Sequence, residues 1–271
     1  MERVSTPNMP KPKILPLKAI FSLAFSLDLF AIAILPLQTF ASLPRDTEYQ
    51  VAQYKPPQGL GAPNITAGGG SRSICEEEPQ HKEDFLTALI PKLSKDNNWA
   101  LTLESNPDFF VYVPKTIARA AEFTIRDQDD ATDIYRTKIN ISGEAGIINI
   151  NLPQNVAQLE VGKNYRWYFS LKCDPRNRRK DAYVQGWITR IEPNSLNATL
   201  ASELQTATLR DRYKLYAENG IWYEALASLI ELRREEPNDT TLTNEWKKFL
   251  ESAGLSELAN FPIIQLSSSR N

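Results

Sequence analysis

Two cysteines, one histidine, an aspartate-rich loop and a run of basic residues are the side chains in this 271-residue sequence with reactive or ligand-binding chemistry to offer. Cys75 and Cys173 lack metal-ligand spacing, which leaves a nucleophilic thiol or a disulfide. A reactive thiolate needs a basic neighbour, and the sole imidazole is His81, in a polar stretch with no nucleophile elbow. No two carboxylates are fixed at the separation that glycoside hydrolysis needs. The sequence therefore assigns no catalytic residue, no cofactor and no metal ligand. Asp127, Asp129, Asp130 and Asp133 are spaced loosely like a calcium loop. An EF-hand loop would have Gly and Glu where this chain has Thr132 and Lys138, so an Asp-rich turn is the plainer reading. Arg176, Arg178, Arg179 and Lys180 form a basic tip able to grip an anionic glycan, a lipid headgroup or an acidic partner, or simply a solvated loop. Phe110, Tyr112 and Tyr168 are candidates for stacking on sugar rings or on a partner chain, and Trp222 joins them as a candidate contact on the helical part. For each ring taken singly, core packing is the competing role.

Strands must position most of these groups. From Leu159 to Asp174, Tyr165, Trp167, Phe169, Leu171 and Cys173 alternate with Arg166, Tyr168, Ser170 and Lys172. That is the period of a strand with one buried and one wet face. The preceding Leu-x-Val-Gly-Lys-x-Tyr turn makes Tyr165 resemble the tyrosine corner of immunoglobulin-like and fibronectin-like sandwiches, whose hydroxyl ties back to upstream backbone. Further short strands are expected near Leu86–Pro91, Trp99–Leu103, Phe109–Val113, Ala121–Arg126, Asp133–Ile141, Gly146–Leu152 and Ala182–Glu192. Phe109–Val113 is apolar on both faces, which fits a strand covered on both sides or one whose outer face is used. Seven or eight short strands separated by turns predict an antiparallel β-sandwich.

From Asn197 the period becomes helical. Thr208 with Asp211 three later opens a helix as a capping box does, and Gly220 closes it. Trp222, Ala225, Leu226, Leu229 and Leu232 share a face until Pro237, and a further helix runs over Thr240–Ser252. Helix, Gly, helix, Pro is similar to one tetratricopeptide unit, although Tyr213 occupies a position that is usually small. The fold expected is mostly β, an immunoglobulin-like or fibronectin-like antiparallel sandwich followed by a tetratricopeptide-like helical hairpin.

The N-terminus addresses compartment. Arg3, Lys11, Lys13 and Lys18 precede the apolar run Ala19–Leu35 and then Thr39-Phe40-Ala41, the layout of a secretory signal. Asp28 interrupts that run, and an uncleaved membrane anchor is the alternative. Cleavage near Ala41 removes four bases and two acids and takes the formal charge from −2 to −4, which gives no basic footprint for nucleic acid. Export favours oxidation, so a Cys75–Cys173 bridge is expected over two unpaired thiols. The domain reading is residues 1–41 signal peptide, 42–74 flexible Pro/Gly-rich linker, 75–193 sandwich, 194–262 helical module and 263–271 disordered tail.

The ordered series GAPNITAGGGSR, LTALIP, PDFFVYVP, AEFTIRD, GIININLP, LEVGKNYRWYFSLKCD, VQGWITRIE and GIWYEALASLIELRREEP resembles the cyanobacterial domain-of-unknown-function family numbered 928. The resemblance covers most of the chain from Ala62 to Pro262. It implies an exported cyanobacterial protein with no assigned activity, and it supplies no catalytic residues to carry over. Two non-enzymatic functions fit the residues. The first is an envelope adaptor whose helices dock a protein partner. The second is a carbohydrate-binding module that uses sheet aromatics and the basic tip against cell-wall or extracellular polysaccharide.

Overall fold

The computed structural model describes residues 51–57, 75, 84–92, 99–154, 158–264 and 266. Among them nine strands form two sheets. They are β1 (Thr87–Ala88), β2 (Trp99–Thr102), β3 (Phe109–Val113), β4 (Ala120–Arg126), β5 (Asp133–Asn140), β6 (Gly146–Ile150), β7 (Asn164–Leu171), β8 (Ala182–Arg190) and β9 (Ile263–Ile264). One sheet has the order β1-β3-β6-β9 and the other β2-β8-β7-β4-β5. The pairings are antiparallel except at two edges, where β2 runs parallel to β8 and β9 parallel to β6. A purely antiparallel sandwich is thus corrected at both edges. These pairings join segments far apart in sequence, so no local turn signal announces them.

Side-chain period explains the layers. On β7, Tyr165, Trp167, Phe169 and Leu171 are buried while Arg166, Tyr168 and Ser170 stay partly exposed. Strand β3 is buried at every position. Phe109 faces the other sheet, its ring 4.9 Å from Phe123 and 5.5 Å from Trp167. Phe110 and Tyr112 point to the opposite side, where helices and the segment after them lie; the Tyr112 ring sits 4.4 Å from Phe261. Each such ring contributes about 1.5–3 kcal/mol by leaving water. Gly186 on β8 leaves room for Ile90 and for Trp167 on the neighbouring strand β7, because a Cβ there would meet their side chains at 2.0 and 2.9 Å.

Four helices follow, α1 (Leu200–Thr206), α2 (Leu209–Glu218), α3 (Trp222–Glu235) and α4 (Thr240–Ser252). The Thr208 hydroxyl caps α2 by accepting from Asp211 N at 3.1 Å. Asp239 caps α4 through Thr241 N at 2.7 Å. The helices share one continuous core with the sheets rather than standing beside them. Tyr223 of α3 accepts from Trp167 Nε1 at 2.9 Å, and Trp222 Nε1 donates to the Leu89 carbonyl at 2.7 Å. Glu224, also buried, accepts from the Thr102 hydroxyl and from Leu103 N and Glu104 N at 3.2 and 3.3 Å, which fastens α3 to the end of β2.

Residues 51–57 lie within the stretch expected to be a flexible linker, yet they pack on the helices. Tyr54 is buried with its ring 5.1 Å from Trp222, and Ala52 O accepts from the Tyr213 hydroxyl at 3.0 Å. Lys55 N donates to Ala217 O at 3.0 Å. Aromatic burial holds this Pro-containing segment where its composition pointed to mobility. Ile263–Ile264 likewise form β9 where a disordered tail was expected, with β6 supplying the partner edge. The described residues fall in one compact unit. The expected signal peptide, residues 1–41, lies outside the described residues. No helix among the described residues is long and apolar enough to cross a membrane.

Candidate functional site

The outward face of the five-stranded sheet gathers side chains from four strands. Strand register sets Arg126, Arg166 and Trp187 in one row across β4, β7 and β8, and Thr124, Tyr168 and Gln185 in the next. Two guanidinium groups approach the Tyr168 ring, with Arg166 5.1 Å and Arg126 5.6 Å from its centre. Arg166 also stacks over Trp187 at 5.5 Å. The β4–β5 turn carries Asp130 at φ 59°, a left-handed conformation that Asp tolerates. That turn aims its carboxylate back at the sheet, where it accepts from the Tyr168 hydroxyl at 3.0 Å and lies 3.5 Å from Arg126 and 3.7 Å from Arg166. Burial, with Asp130 beside it, pushes the Tyr168 phenol well above its usual range. Arg166 Nη2 donates to Gln185 Oε1 at 2.7 Å, while its buried Nε has no acceptor.

The groove continues to Glu122, which Lys172 approaches at 3.0 Å, Arg178 at 3.1 Å and Arg136 at 3.8 Å. Burial raises this carboxyl, but hydrogen bonds from Lys172 and Arg178 and their charges outweigh it, so Glu122 sits below the usual carboxylate range. Asp181 holds Arg178 at 2.6 Å and Lys172 at 3.4 Å. The whole depression has a volume of about 450 Å³ and is open to solvent on one side. It offers planar donors and acceptors around an aromatic ring, the mixed lining of a ligand pocket.

The structure sorts the expected site residues. Tyr168 and Arg178 fall in this groove. Arg176 and Arg179 stand exposed on the adjoining loop, where Asp174 and Asn177 side chains cap their backbone amides at 2.9 and 3.2 Å. Phe110, Tyr112 and Trp222 are corrected from binding surface to core, at 2, 1 and 0% exposure. Helices cover the second face of β3, and Trp222 stacks on Phe249 at 4.8 Å. Tyr165 accepts from Glu160 N at 3.0 Å, a tie to the upstream backbone. Cys75 and Cys173 are joined as a disulfide. In the Asp-rich loop, Asp127 caps the turn through Ala131 N at 2.8 Å, and Asp133 pairs with Arg126 at 2.8 Å and with Arg136. Those carboxylates serve the turn and the arginines; among the described residues no group of three or more His, Cys, Asp or Glu is arranged to hold a metal. His81 lies outside the described residues.

Asp130 entered only as part of the Asp-rich turn, and Arg126, Arg166 and Glu122 were not singled out by sequence. Their only signal was the wet phase of the strand alternation, which does not say which wet residues meet across strands.

The profile of a family described as Domain of Unknown Function (DUF928) matches residues 67–263. The chain belongs to the DUF928 family. No curated protein matches it. The matched region contains β1 to β8, the first residue of β9, α1 to α4 and both cysteines, so the groove lies inside it, whereas the docked segment 51–57 precedes it.

Proposed function

We propose that this protein is a non-enzymatic, exported binding module of the cell envelope, and that the groove on its five-stranded sheet takes a saccharide. The observation that carries the reading is the Tyr168 ring, approached by Arg126 and Arg166 from the neighbouring row and rimmed by Asp130 and Gln185. A sugar offers an apolar ring face to stack and hydroxyls that donate to carboxylates and accept from guanidinium groups. Buried Arg166 Nε supplies a donor that a ligand oxygen would satisfy. Arg126, Arg136, Arg166, Lys172 and Arg178 face Glu122, Asp130, Asp133 and Asp181. Near balance of charge favours a neutral or mildly acidic polysaccharide over a polyanion.

The disulfide supports export, since such bridges persist in oxidising compartments. A cyanobacterial envelope is the setting this reading adopts. The fold reading that goes with it is an immunoglobulin-like sandwich, supported by the Tyr165 tie, carrying one tetratricopeptide-like hairpin formed by α2 and α3. An adaptor using that hairpin has less support, because its inner face is filled by the sheets and by Tyr54.

The test is retention of envelope and extracellular polysaccharides by the oxidised chain, with Tyr168→Ala beside it. Wild type is expected to bind and Tyr168→Ala to bind at least about tenfold more weakly, a loss of about 1.4 kcal/mol. Equal binding by both proteins, or capture of a stoichiometric protein with no polysaccharide, overturns the saccharide reading.

A further inference from the structure

A second cavity, of about 370 Å³, lies between α3 and the helix-facing side of the β3–β6 pair. Register places Asn149 opposite Phe110, so both side chains project to that side. Asp108 precedes β3 and Asn151 follows β6, which brings Asp108 within reach of both asparagines. Asn151 Nδ2 donates to Asp108 Oδ1 at 2.6 Å, and the Asn149 side chain also hydrogen-bonds to that carboxyl. With its amide turned to Asp108, Asn149 leaves Oδ1 buried and without a partner. From α3, Glu231 and Arg234 line the opposite wall, one turn apart and paired at 3.6 Å.

The wall is therefore rich in acceptors. Asp108 and Glu231 are anionic, Asn149 Oδ1 is a neutral acceptor lacking a donor, and the one guanidinium among these groups already faces Glu231. Two like charges face one space, and burial, the larger effect, together with Glu231 holds the Asp108 carboxyl above its ordinary range. Native structures rarely leave a buried acceptor unmatched. A compact cation with several N–H donors answers all three acceptors at once. The Phe110 ring lines the same space, and cations favour aromatic neighbours. The volume is at the small end for ligand pockets, which suits a single amino sugar or amino acid.

We propose that this cavity is a binding site, distinct from the sheet groove, for a small molecule that enters through a primary ammonium group held by Asp108, Asn149 Oδ1 and Glu231. Amino sugars and free amino acids share that group, so the experiment has an arm for each.

Calorimetric titration of the oxidised full chain with glucosamine, with lysine and with uncharged glucose tests it. One amine is expected to bind with Kd below about 1 mM while glucose does not, and the tighter amine identifies the source. Asp108→Asn and Glu231→Gln are each expected to weaken that amine at least about tenfold. Glu231 lies at the helix surface, so its variant remains informative if Asp108→Asn fails to fold. Tyr168→Ala is expected to leave amine binding unchanged, which separates this site from the saccharide groove. No amine binding up to about 10 mM, glucose binding to the Tyr168→Ala chain, whose sheet groove is disabled, as tightly as the amines, or undiminished amine binding by Glu231→Gln overturns the proposal.

Discussion

Glu224 is a residue whose charge state bears on the folded chain. It is 7% exposed, its Oε2 is buried without a partner, and burial, only partly offset by the Thr102 hydroxyl, pushes its carboxyl up to about 7. Its neighbours in charge are Glu104, which repels it, and Tyr216, itself pushed up to about 12 by burial first and then by Glu224 and Glu104. In the unfolded chain Glu224 ionises near its ordinary 4.5. The folded state thus keeps the proton longer, and this group's contribution is most favourable below pH 4.5. It is lost as pH rises towards 7, by about 3 kcal/mol in total. Glu224→Gln is expected to flatten the decline of urea midpoints between pH 5 and 8; an unchanged slope would place the titration elsewhere. Nothing in Trp-Tyr-Glu-Ala marked this glutamate as buried, because its acceptor role depends on Thr102, 122 residues away. Tyr165 was legible for the opposite reason, since its tie reaches only five residues back, to Glu160.

Elements with a local period were read well. Strands β4, β5 and β7 follow the alternation of the sequence, β3 follows its apolar run, and α2 and α4 begin beside the capping residues Thr208 and Asp239. What could not be read was which apolar faces would meet. Phe110 and Tyr112 look like candidates for solvent until α3 and Phe261 cover them. The segment 51–57 offers Pro and Gln to inspection, yet Tyr54 seats itself between Gly220 and Trp222. Tyr54→Ala is expected to destabilise the chain by about 3 kcal/mol, seen as a lower thermal midpoint, because a large buried ring leaves a cavity. Gly220 has φ 74°, and a Cβ there would lie 2.8 Å from Pro57. Gly220→Ala therefore both strains the α2–α3 corner and pushes the segment off, so its cost is expected to exceed the usual 1 kcal/mol or so for a left-handed position. If its stability matches wild type, the segment is not docked in solution.

At the scale of the molecule, sheets and helices stand or fall together. Residues 194–262 expressed alone are expected to show no cooperative thermal transition, because Trp222 and Tyr223 would lose Leu89 and Trp167 as partners. The disulfide spans 98 residues of sequence, and the Cys75→Ser/Cys173→Ser pair is expected to lower stability by about 4–5 kcal/mol in urea titrations. Two layers of β followed by helices were visible in the order of periods along the sequence. Their fusion was not, because it rests on contacts between distant segments that no window of sequence contains. The edge strand β9 bears on biogenesis. Ile263 and Ile264 complete the four-stranded sheet beside β6, and Gly146 receives the Ile264 side chain so closely that a Cβ there would lie 2.5 Å from it. Synthesis from the N-terminus delivers β6 more than a hundred residues before β9. The four-stranded sheet then keeps an open edge until the stretch around Ile264 has emerged, and only then does the fold close.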